Sequence, residues 1–407
     1  MDDATALLLT VSGRDRPGLT SALCEELARC GARILDMEQV VIRERLTLGI
    51  LVSLGGDEDA TCQAVAERAA SMGVNVEFEP MAARRPRTEA PRHYVTILGQ
   101  PLRAGAIAAI TGRLARLGAN IERIVRLARY PILAFELLVS GGDPERLRAD
   151  LAVEAAAQHV DVAVQPATLY RRAKRLIVMD VDSTLVQGEV IEALAASAGC
   201  AGRVREITAR AMAGDLDFEQ SLRERVALLE GLPVGALDEV RDHLVLTPGA
   251  RTLLRTLKRL GYVTAIVSGG FTHITDDLKA RLHLDYAAGN SLEVVDGRLT
   301  GRLLGPVIDR AAKADRLEAF AADAGIPLSQ TVAVGDGAND LDMLTRAGLG
   351  IAFNAKPAVR KAADTAVSVP YLDAILFLLG ITREEIEAAD AADRAPGPPP
   401  AGTIPTR

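Results

Sequence analysis

Three apolar runs in the second half of the chain each lead directly into a cluster of polar residues. The runs and the clusters that follow them are LIVM (176–179) with DVDST (180–184), VTAIV (263–267) with SGG (268–270), and TVAV (331–334) with GDGAND (335–340). Continuous apolar runs of this length are typical of parallel strands buried on both faces of a sheet. Because ligands bind at the carboxyl ends of such strands, we expect the three polar clusters to converge on one site.

From residue 176 onward, strand-like runs alternate with helical patterns, which predicts an α/β domain whose parallel sheet is covered on both faces. Between the first two runs lies an all-helical insertion at about 188–246, which we interpret as a lid over the strand ends. Its three helical patterns cover 189–198, 201–213 and 218–229, and Asp217 is expected to cap the last.

An internal repeat in the first half appears when the sequence is shifted by 87 positions. The segment 14–34 then aligns with 101–121, and Gly18 aligns with Gly105. Each copy reads as a strand, a helix, two strands, a helix and a strand, which is the ferredoxin-like order βαββαβ. We predict one domain at 1–80 and a second at 93–168, joined by a Pro- and Arg-rich linker at 81–92.

Composition argues against two kinds of partner. The net charge of −7 does not fit a general nucleic-acid binder, since such binding depends on clustered Lys and Arg. The apolar run at 374–381 is far shorter than the roughly 20 residues of a membrane helix, so we expect no membrane span. The four cysteines lack metal-like spacing and no secretory segment precedes them, so we expect a cytoplasmic protein.

Four carboxylates should meet at the predicted site, those of Asp180, Asp182, Asp336 and Asp340. Such a group is stable only if the carboxylates share a cation or a proton, and hard oxygen ligands at this density suit Mg²⁺. A single aspartate at a strand end could equally cap a helix, but four together favour a metal site.

Two further elements could bind an anion. Ser268 and the glycines after it precede a helical pattern, where a hydroxyl and backbone N–H groups can hold a phosphate, although a simple glycine-rich turn is the alternative. Lys313 could supply a positive charge, or could be an ordinary surface lysine on its helix.

These clusters carry a resemblance to a known family. DVDST resembles the D-x-D-x-T motif of haloacid dehalogenase-type phosphatases, and SGG, Lys313 and GDGAND are similar to the second, third and fourth motifs of that superfamily, in the same order. The resemblance implies a Rossmann-like core with a helical cap, which we place at 170–385.

The resemblance also implies the chemistry. Asp180 would attack phosphorus to form an aspartyl-phosphate, and Asp182 would act as general acid and then general base. Mg²⁺ would be bound by the carboxylates of Asp180 and Asp336 and the backbone carbonyl of Asp182. Lys313 would help offset the phosphoryl charge.

The cap segments 179–195 and 211–232 are similar to the branch of these phosphatases that acts on O-phospho-L-serine. By that likeness Glu189 would bind the substrate ammonium and Arg225 its carboxylate, although either alone could be an exposed helix charge. The remaining substrate-binding residues implied are Ser268, Gly269, Lys313, Asn339, Met212 and Phe218.

The repeated first half resembles paired ACT domains, which often bind amino acids. GRDRPG (13–18) matches the ACT loop, whereas QPLRAG (100–105) lacks its Asp-Arg pair. The resemblance implies possible effector-binding positions at Gly18 and Gly105, serine as the possible effector, and a homodimer.

The predicted fold is therefore α/β, with a haloacid dehalogenase core and helical cap after two ferredoxin-like βαββαβ (ACT) domains. The expected activity is hydrolysis of O-phospho-L-serine, with phosphohomoserine or phosphothreonine as alternative substrates. A regulatory protein with a vestigial phosphatase domain is the alternative of another class, but no motif residue is missing. Residues 386–407, which end in a Pro- and Gly-rich stretch, are expected to form a disordered tail.

Overall fold

The structure is a computed structural model of the 407-residue chain. It describes residues 6–81, 90–168, 171, 173–213 and 215–394, without the side chains of Met212, Ala213 and Arg394. Most of the predicted linker lies outside the described residues. The chain divides into two compact units, residues 1–90 and 91–407, and each is described by itself.

The first unit is an antiparallel sheet with two helices. Its strands lie in the order β2-β3-β1-β4, which is the predicted ferredoxin-like arrangement. Leu9, Leu23 and Ile50 are fully buried in its core, where the sheet meets the helices. The elements are β1 (Ala6–Arg14), α1 (Leu19–Arg29), β2 (Arg33–Ile42), β3 (Arg45–Ser53), α2 (Glu58–Ser71) and β4 (Val74–Met81).

The second unit begins with the second copy of this fold. Its strands lie in the equivalent order β6-β7-β5-β8, so the repeat read from the sequence is confirmed as a structural repeat. The elements are β5 (Arg92–Gly99), α3 (Ala104–Arg116), β6 (Asn120–Ala128), β7 (Leu133–Ser140), α4 (Pro144–Gln158) and β8 (Asp161–Pro166).

The aligned glycines of the two copies adopt different conformations. Gly18 precedes α1 in the left-handed region at φ 88°, whereas Gly105 lies inside the first turn of α3, which begins at Ala104. The two helices end at equivalent positions, Arg29 and Arg116, so the alignment is correct in register there. The loops before the helices differ in backbone shape.

The rest of the second unit is built on a seven-stranded sheet. The strand order is β12-β11-β10-β9-β13-β14-β15, and every neighbouring pair is parallel except β11 with β12. Leu176 pairs with both Val263 and Thr331, so the three polar clusters follow neighbouring strands in register. The strands are β9 (Leu176–Met179), β10 (Val263–Phe271), β11 (Tyr286–Val295), β12 (Arg298–Leu304), β13 (Thr331–Gly335), β14 (Gly350–Phe353) and β15 (Thr365–Val367).

The insertion after β9 forms a helical cap. Its helices are α5 (Val190–Ser197), α6 (Ala201–Ala213), α7 (Phe218–Ala227) and α8 (Gly235–His243). Three of them were expected from the sequence, and the carboxylate of Asp217 caps α7 by accepting from the N–H of Gln220 at 2.7 Å. The short α8 was not expected. Where the cap leaves and rejoins the core, Val186 and Leu246 form an antiparallel bridge.

Helices cover both faces of the sheet. Alternate residues of β9 point into two different apolar clusters, with Ile177 in one and Val178 in the other. The helices are α9 (Ala250–Arg259), α10 (Thr272–Leu282), α11 (Arg310–Asp323), α12 (Leu341–Arg346), α13 (Pro357–Ala362), α14 (Ile375–Leu378) and α15 (Arg383–Arg394).

Helix α15 corrects the predicted start of the tail. The tail was expected from residue 386, but the chain stays helical to Arg394, and the guanidinium of Arg259 pairs with Asp390 and Asp393 on that helix. Residues 395–407 lie outside the described residues. In the part of the chain that the structure describes, no helix is long and apolar enough to cross a membrane.

Within the second unit, the sheet of the second repeat packs directly on the core that contains the seven-stranded sheet. Leu98 and Ile132 belong to the same buried apolar cluster as Phe377 of α14. The side-chain amide of Gln165 donates to the carbonyl of Leu378 at 2.9 Å. The two domains therefore share one core rather than meeting through a polar surface.

Candidate active site

The three predicted polar clusters do converge at the carboxyl ends of their strands. Asp180 follows β9 directly, and its backbone N–H donates to the carbonyl of Val334 on β13 at 2.9 Å. Its side chain is almost fully buried. The loop then turns sharply at Ser183, which adopts a positive φ of 57°.

Lys313 of α11 lies at the centre of the site. Its Nζ is 2.7 Å from Oδ1 of Asp180 and 2.7 Å from Oδ1 of Asp340, and its side chain is fully buried. Burial alone would lower the pKa of Lys313, but the charges of the two aspartates outweigh it and raise that pKa. This lysine is therefore a charged group of the site and not a surface residue.

The three carboxylates nearest to one another are those of Asp180, Asp336 and Asp340. One oxygen atom from each lies within 4.8 Å of the others, an arrangement that could hold a divalent cation. Burial and then the charge of Asp340 raise the pKa of Asp180, and the same two causes raise the pKa of Asp336 to about 6. A bound cation would relieve this repulsion, so the residues fit a metal.

The carboxylate of Asp182 belongs to the same site, where its charge raises the pKa of Asp180, but it faces partners other than the three close carboxylates. Its Oδ1 accepts from the backbone N–H of Val190 at 2.8 Å, and its Oδ2 accepts from the hydroxyl of Ser268 at 3.0 Å. Burial raises the pKa of Asp182, while these hydrogen bonds oppose the rise. A held carboxyl with a raised pKa is suited to donate a proton.

The SGG segment is more extended than expected. Strand β10 continues to Phe271, so the glycines belong to the strand, and α10 begins at Thr272, where the helical pattern was expected to begin. The N–H of Gly270 was expected to be free for an anion, but it donates to the hydroxyl of Ser268 at 2.7 Å.

Two residues of the site have roles that were not expected from the sequence. The hydroxyl of Thr184 donates to Oδ1 of Asp336 at 3.2 Å and so links the first and fourth motifs. The side-chain amide of Asn290 donates to the carbonyl of Gly269 at 2.8 Å. Thr184 is visible in the DVDST motif, whereas a lone asparagine in a strand gives no sequence signal.

The expected substrate-binding residues of the cap lie on the same cleft. Phe218 of α7 is half-buried, and a Cβ on Gly269 would lie 2.8 Å from its ring, so the glycine leaves room for that ring. Partial burial, then the charges of Asp182 and Asp336, raise the pKa of Glu189 to about 7, and the guanidinium of Arg225 opposes the rise. Glu189 itself remains open to solvent at the mouth of the cleft.

The remaining predicted positions are placed as follows. Arg225 is half-buried on α7, and its Nε donates to the carbonyl of Ser221 at 3.2 Å. Asn339 lies in the short helical turn after β13 and is half-buried. Met212 lies in α6, but its side chain falls outside the described residues.

Family models agree with this architecture. A model described as haloacid dehalogenase-like hydrolase matches residues 177–345, and two models described as ACT domain match residues 5–79 and 91–165. The fold and the site therefore define a haloacid dehalogenase-like hydrolase that carries two ACT domains.

Relatives with known names extend over nearly the whole chain. A phosphoserine phosphatase of Streptomyces coelicolor is 57% identical over 97% of this chain and 98% of its own, and one of Mycobacterium tuberculosis is 53% identical over 97% of each. The chain belongs to this phosphoserine phosphatase family. A solved structure described as a probable phosphoserine phosphatase from Vibrio cholerae, unliganded form, is 36% identical, with a TM-score of 0.57 over 73% of this chain and 88% of its own.

Proposed function

We propose that the chain hydrolyses O-phospho-L-serine to L-serine and phosphate in a Mg²⁺-dependent reaction. The observation that carries the proposal is one cleft in which a carboxylate and a guanidinium from the cap, those of Glu189 and Arg225, both act electrostatically on Asp182 of the core. An opposite pair of charges beside a phosphatase site suits a substrate that has both an ammonium and a carboxylate. The likeness to the family members named above supports the same substrate.

The proposed chemistry has two steps. In the first, an Oδ atom of Asp180 forms a bond to phosphorus while the bond between phosphorus and the serine oxygen breaks, and Asp182 gives its proton to that oxygen. In the second, water attacks phosphorus, Asp182 takes a proton from the water, and the aspartyl-phosphate bond breaks. Phosphate leaves and both aspartates return to their first state.

The surrounding residues position and stabilise these steps. Lys313 holds Asp180 in place at 2.7 Å and offsets negative charge. Asp180, Asp336 and the backbone carbonyl of Asp182 would hold Mg²⁺, which when bound offsets phosphoryl charge. Ser268, Gly269 and Asn339 would contact the phosphate, and Phe218 with Met212 would shield the site from water.

The direct test is phosphate release from a panel of phosphomonoesters with and without Mg²⁺. We expect phosphoserine to have the highest kcat/KM, and the Asp180→Asn variant to lose nearly all activity while it keeps the fold. Full activity of that variant would exclude the mechanism. If Arg225→Ala left kcat/KM for phosphoserine unchanged, phosphohomoserine or phosphothreonine would replace it as the proposed substrate.

For the first half we propose that a free amino acid, with serine the first candidate, binds near Gly18 and regulates a homodimer. Gly18 carries a left-handed backbone at the start of α1, whereas Gly105 lies in the first turn of α3 without this conformation and is proposed as the weaker site. Free serine should change the activity of the wild type but not that of Gly18→Val. Sedimentation at several protein concentrations checks the dimer. A cytoplasmic location is proposed on the cysteine pattern.

A further inference from the structure

A buried asparagine joins two segments of the active site. Asn290 lies on β11 opposite Phe271 of β10, and only 2% of its surface is exposed. Its Nδ2 donates to the carbonyl of Gly269 at 2.8 Å, and its Oδ1 accepts from the backbone N–H of Ile308 at 2.8 Å. Ile308 precedes by two residues the helix α11 that carries Lys313. One amide group therefore connects the SGG segment to the lysine helix.

The hydrogen bond to Gly269 also determines how one peptide group is oriented. In a trans peptide the C=O and the following N–H point in opposite directions. Because the carbonyl of Gly269 points to Asn290, the N–H of Gly270 must point the other way, where it meets the hydroxyl of Ser268 at 2.7 Å. That hydroxyl in turn donates to Asp182 at 3.0 Å. The N–H of Gly270 therefore faces the reacting groups.

A peptide between two glycines has little steric resistance to rotation, since neither residue has a Cβ. If this peptide turned over, it would present the carbonyl of Gly269 to the phosphoryl group, and two negative partial charges would meet. Side chains that fix such a peptide must do so by hydrogen bonding. In the described part of the chain, Asn290 is the side chain that binds the carbonyl of Gly269.

We propose that Asn290 is a positioning residue, whose buried amide bridges Gly269 and Ile308 and thereby holds the N–H of Gly270 on the hydroxyl of Ser268, which in turn donates to Asp182. The proposal rests on the proposed phosphatase function. It assigns no contact between Asn290 and the substrate. Asn290 acts through the orientation of the Gly270 N–H and through the spacing between that N–H and Lys313.

The test replaces the donor while it keeps the shape. In Asn290→Asp, one oxygen still accepts from the N–H of Ile308, but the other repels the carbonyl of Gly269. Gln165→Glu is the matched control, because the amide of Gln165 also donates to a buried backbone carbonyl, that of Leu378 at 2.9 Å, outside the site. A purely structural role predicts similar losses of Tm for both variants and normal kinetics for both.

We expect Asn290→Asp to lower kcat about 10- to 100-fold, with a smaller change in KM. This is less than the roughly 100- to 1000-fold loss caused by removing a direct donor to a developing charge, because Asn290 acts through the Gly269 peptide. The affinity for orthovanadate, which mimics the five-coordinate phosphoryl group, should fall by a similar factor, while Gln165→Glu stays within about twofold of the wild type in both measurements. Wild-type values of kcat and vanadate affinity in Asn290→Asp would overturn the proposal.

Two safeguards keep the result decisive. If Asn290→Asp does not fold, Asn290→Ser is measured instead, since its hydroxyl adds no charge and cannot bridge both partners; the same losses are expected and wild-type values would again overturn the proposal. If the wild type does not hydrolyse phosphoserine, the proposed function fails, but vanadate binding, followed by its shift of Tm, still decides the role of Asn290 because it needs no turnover.

Discussion

At the scale of single residues, burial and charge give different environments to Asp180 and Asp182, which are separated by one residue in the sequence. Asp180 is turned toward Lys313 and lies close to the carboxylates of Asp336 and Asp340, whereas Asp182 is turned toward the start of α5 and the hydroxyl of Ser268. The first arrangement favours a nucleophile and the second favours a proton donor and acceptor.

The division predicts a specific defect for Asp182→Asn. The amide keeps the shape of the carboxyl and its bond to the N–H of Val190, but it cannot take the proton of the attacking water. We expect turnover to fall at least about 100-fold, because both the protonation of the serine oxygen and the activation of water lose their proton carrier. Phosphate release by the variant is the measurement, and turnover close to that of the wild type would contradict the assignment.

The sequence was enough to find most of these residues, because apolar runs ending in polar clusters place them on known edges of a sheet. It could not indicate which way a side chain turns. The carboxylate of Asp182 is turned away from the other three carboxylates by its hydrogen bonds with Val190 and Ser268. These are tertiary contacts, which the sequence does not indicate. Asn290 was not predicted for the same reason, since its two partners are 21 and 18 residues away along the chain.

At the scale of elements, the strands were predictable because the sheet is parallel and buried, and the repeat was predictable because its two copies keep their glycines in register. The differences are local. Helix α8 is only nine residues long, and helix α15 continues beyond residue 386 because its carboxylates pair with Arg255 and Arg259 of α9. Ion pairs between distant elements leave no periodic pattern in the sequence, so the extension of α15 could not be predicted from it.

Opposite the catalytic edge of the sheet, a lysine near the start of β9 makes stability depend on pH. Lys174 is 7% exposed, its Nζ donates to the carbonyl of Ser329 at 2.7 Å, and burial lowers its pKa from 10.5 to about 8, against the opposing charge of Asp364. Between those two pH values the unfolded chain binds more protons than the folded one, so folding gains stability as the pH rises. Below pH 8, burial of the charged lysine lowers the free energy of unfolding by about 3 kcal/mol.

We therefore expect the Tm of the wild type to rise relative to that of Lys174→Met as the pH is raised from 8 to about 10. Methionine has a similar length and no charge, so the variant lacks the cost at every pH, although it leaves the carbonyl of Ser329 without its donor. Thermal unfolding of both proteins across this range is the measurement. Parallel Tm profiles would show that Lys174 does not change its protonation on folding.

At the scale of the whole molecule, the two ACT domains are not equivalent. The second shares a buried cluster with the phosphatase core and adds polar bonds to it, such as that from the N–H of Ser368 to the carboxylate of Asp161 at 2.6 Å. The first forms a compact unit with its own core. The sequence repeat did not predict this difference, because the residues that the second sheet buries against the core, such as Leu98 and Ala134, are ordinary strand residues.

Two truncated chains test this inequality. A chain that begins at Pro91 keeps the shared core and serves as the reference. A chain that begins at Arg175 should unfold at a lower temperature and aggregate, since it exposes the apolar surface that Leu98 and Ile132 cover. Calorimetry of both chains is the check, and equal unfolding temperatures would contradict the shared core.

The bridge between Val186 and Leu246 has a consequence for how this protein could have arisen. The two ends of the cap are paired with each other, and the N–H of Thr247 donates to the carbonyl of Leu185 at 2.9 Å, so the chain leaves the sheet and returns to it at one point. An insertion with adjacent ends can be gained, lost or exchanged in a single genetic event without reordering the strands. The cap can therefore be replaced as one unit, and new substrate preferences can evolve while the hydrolytic core is inherited unchanged.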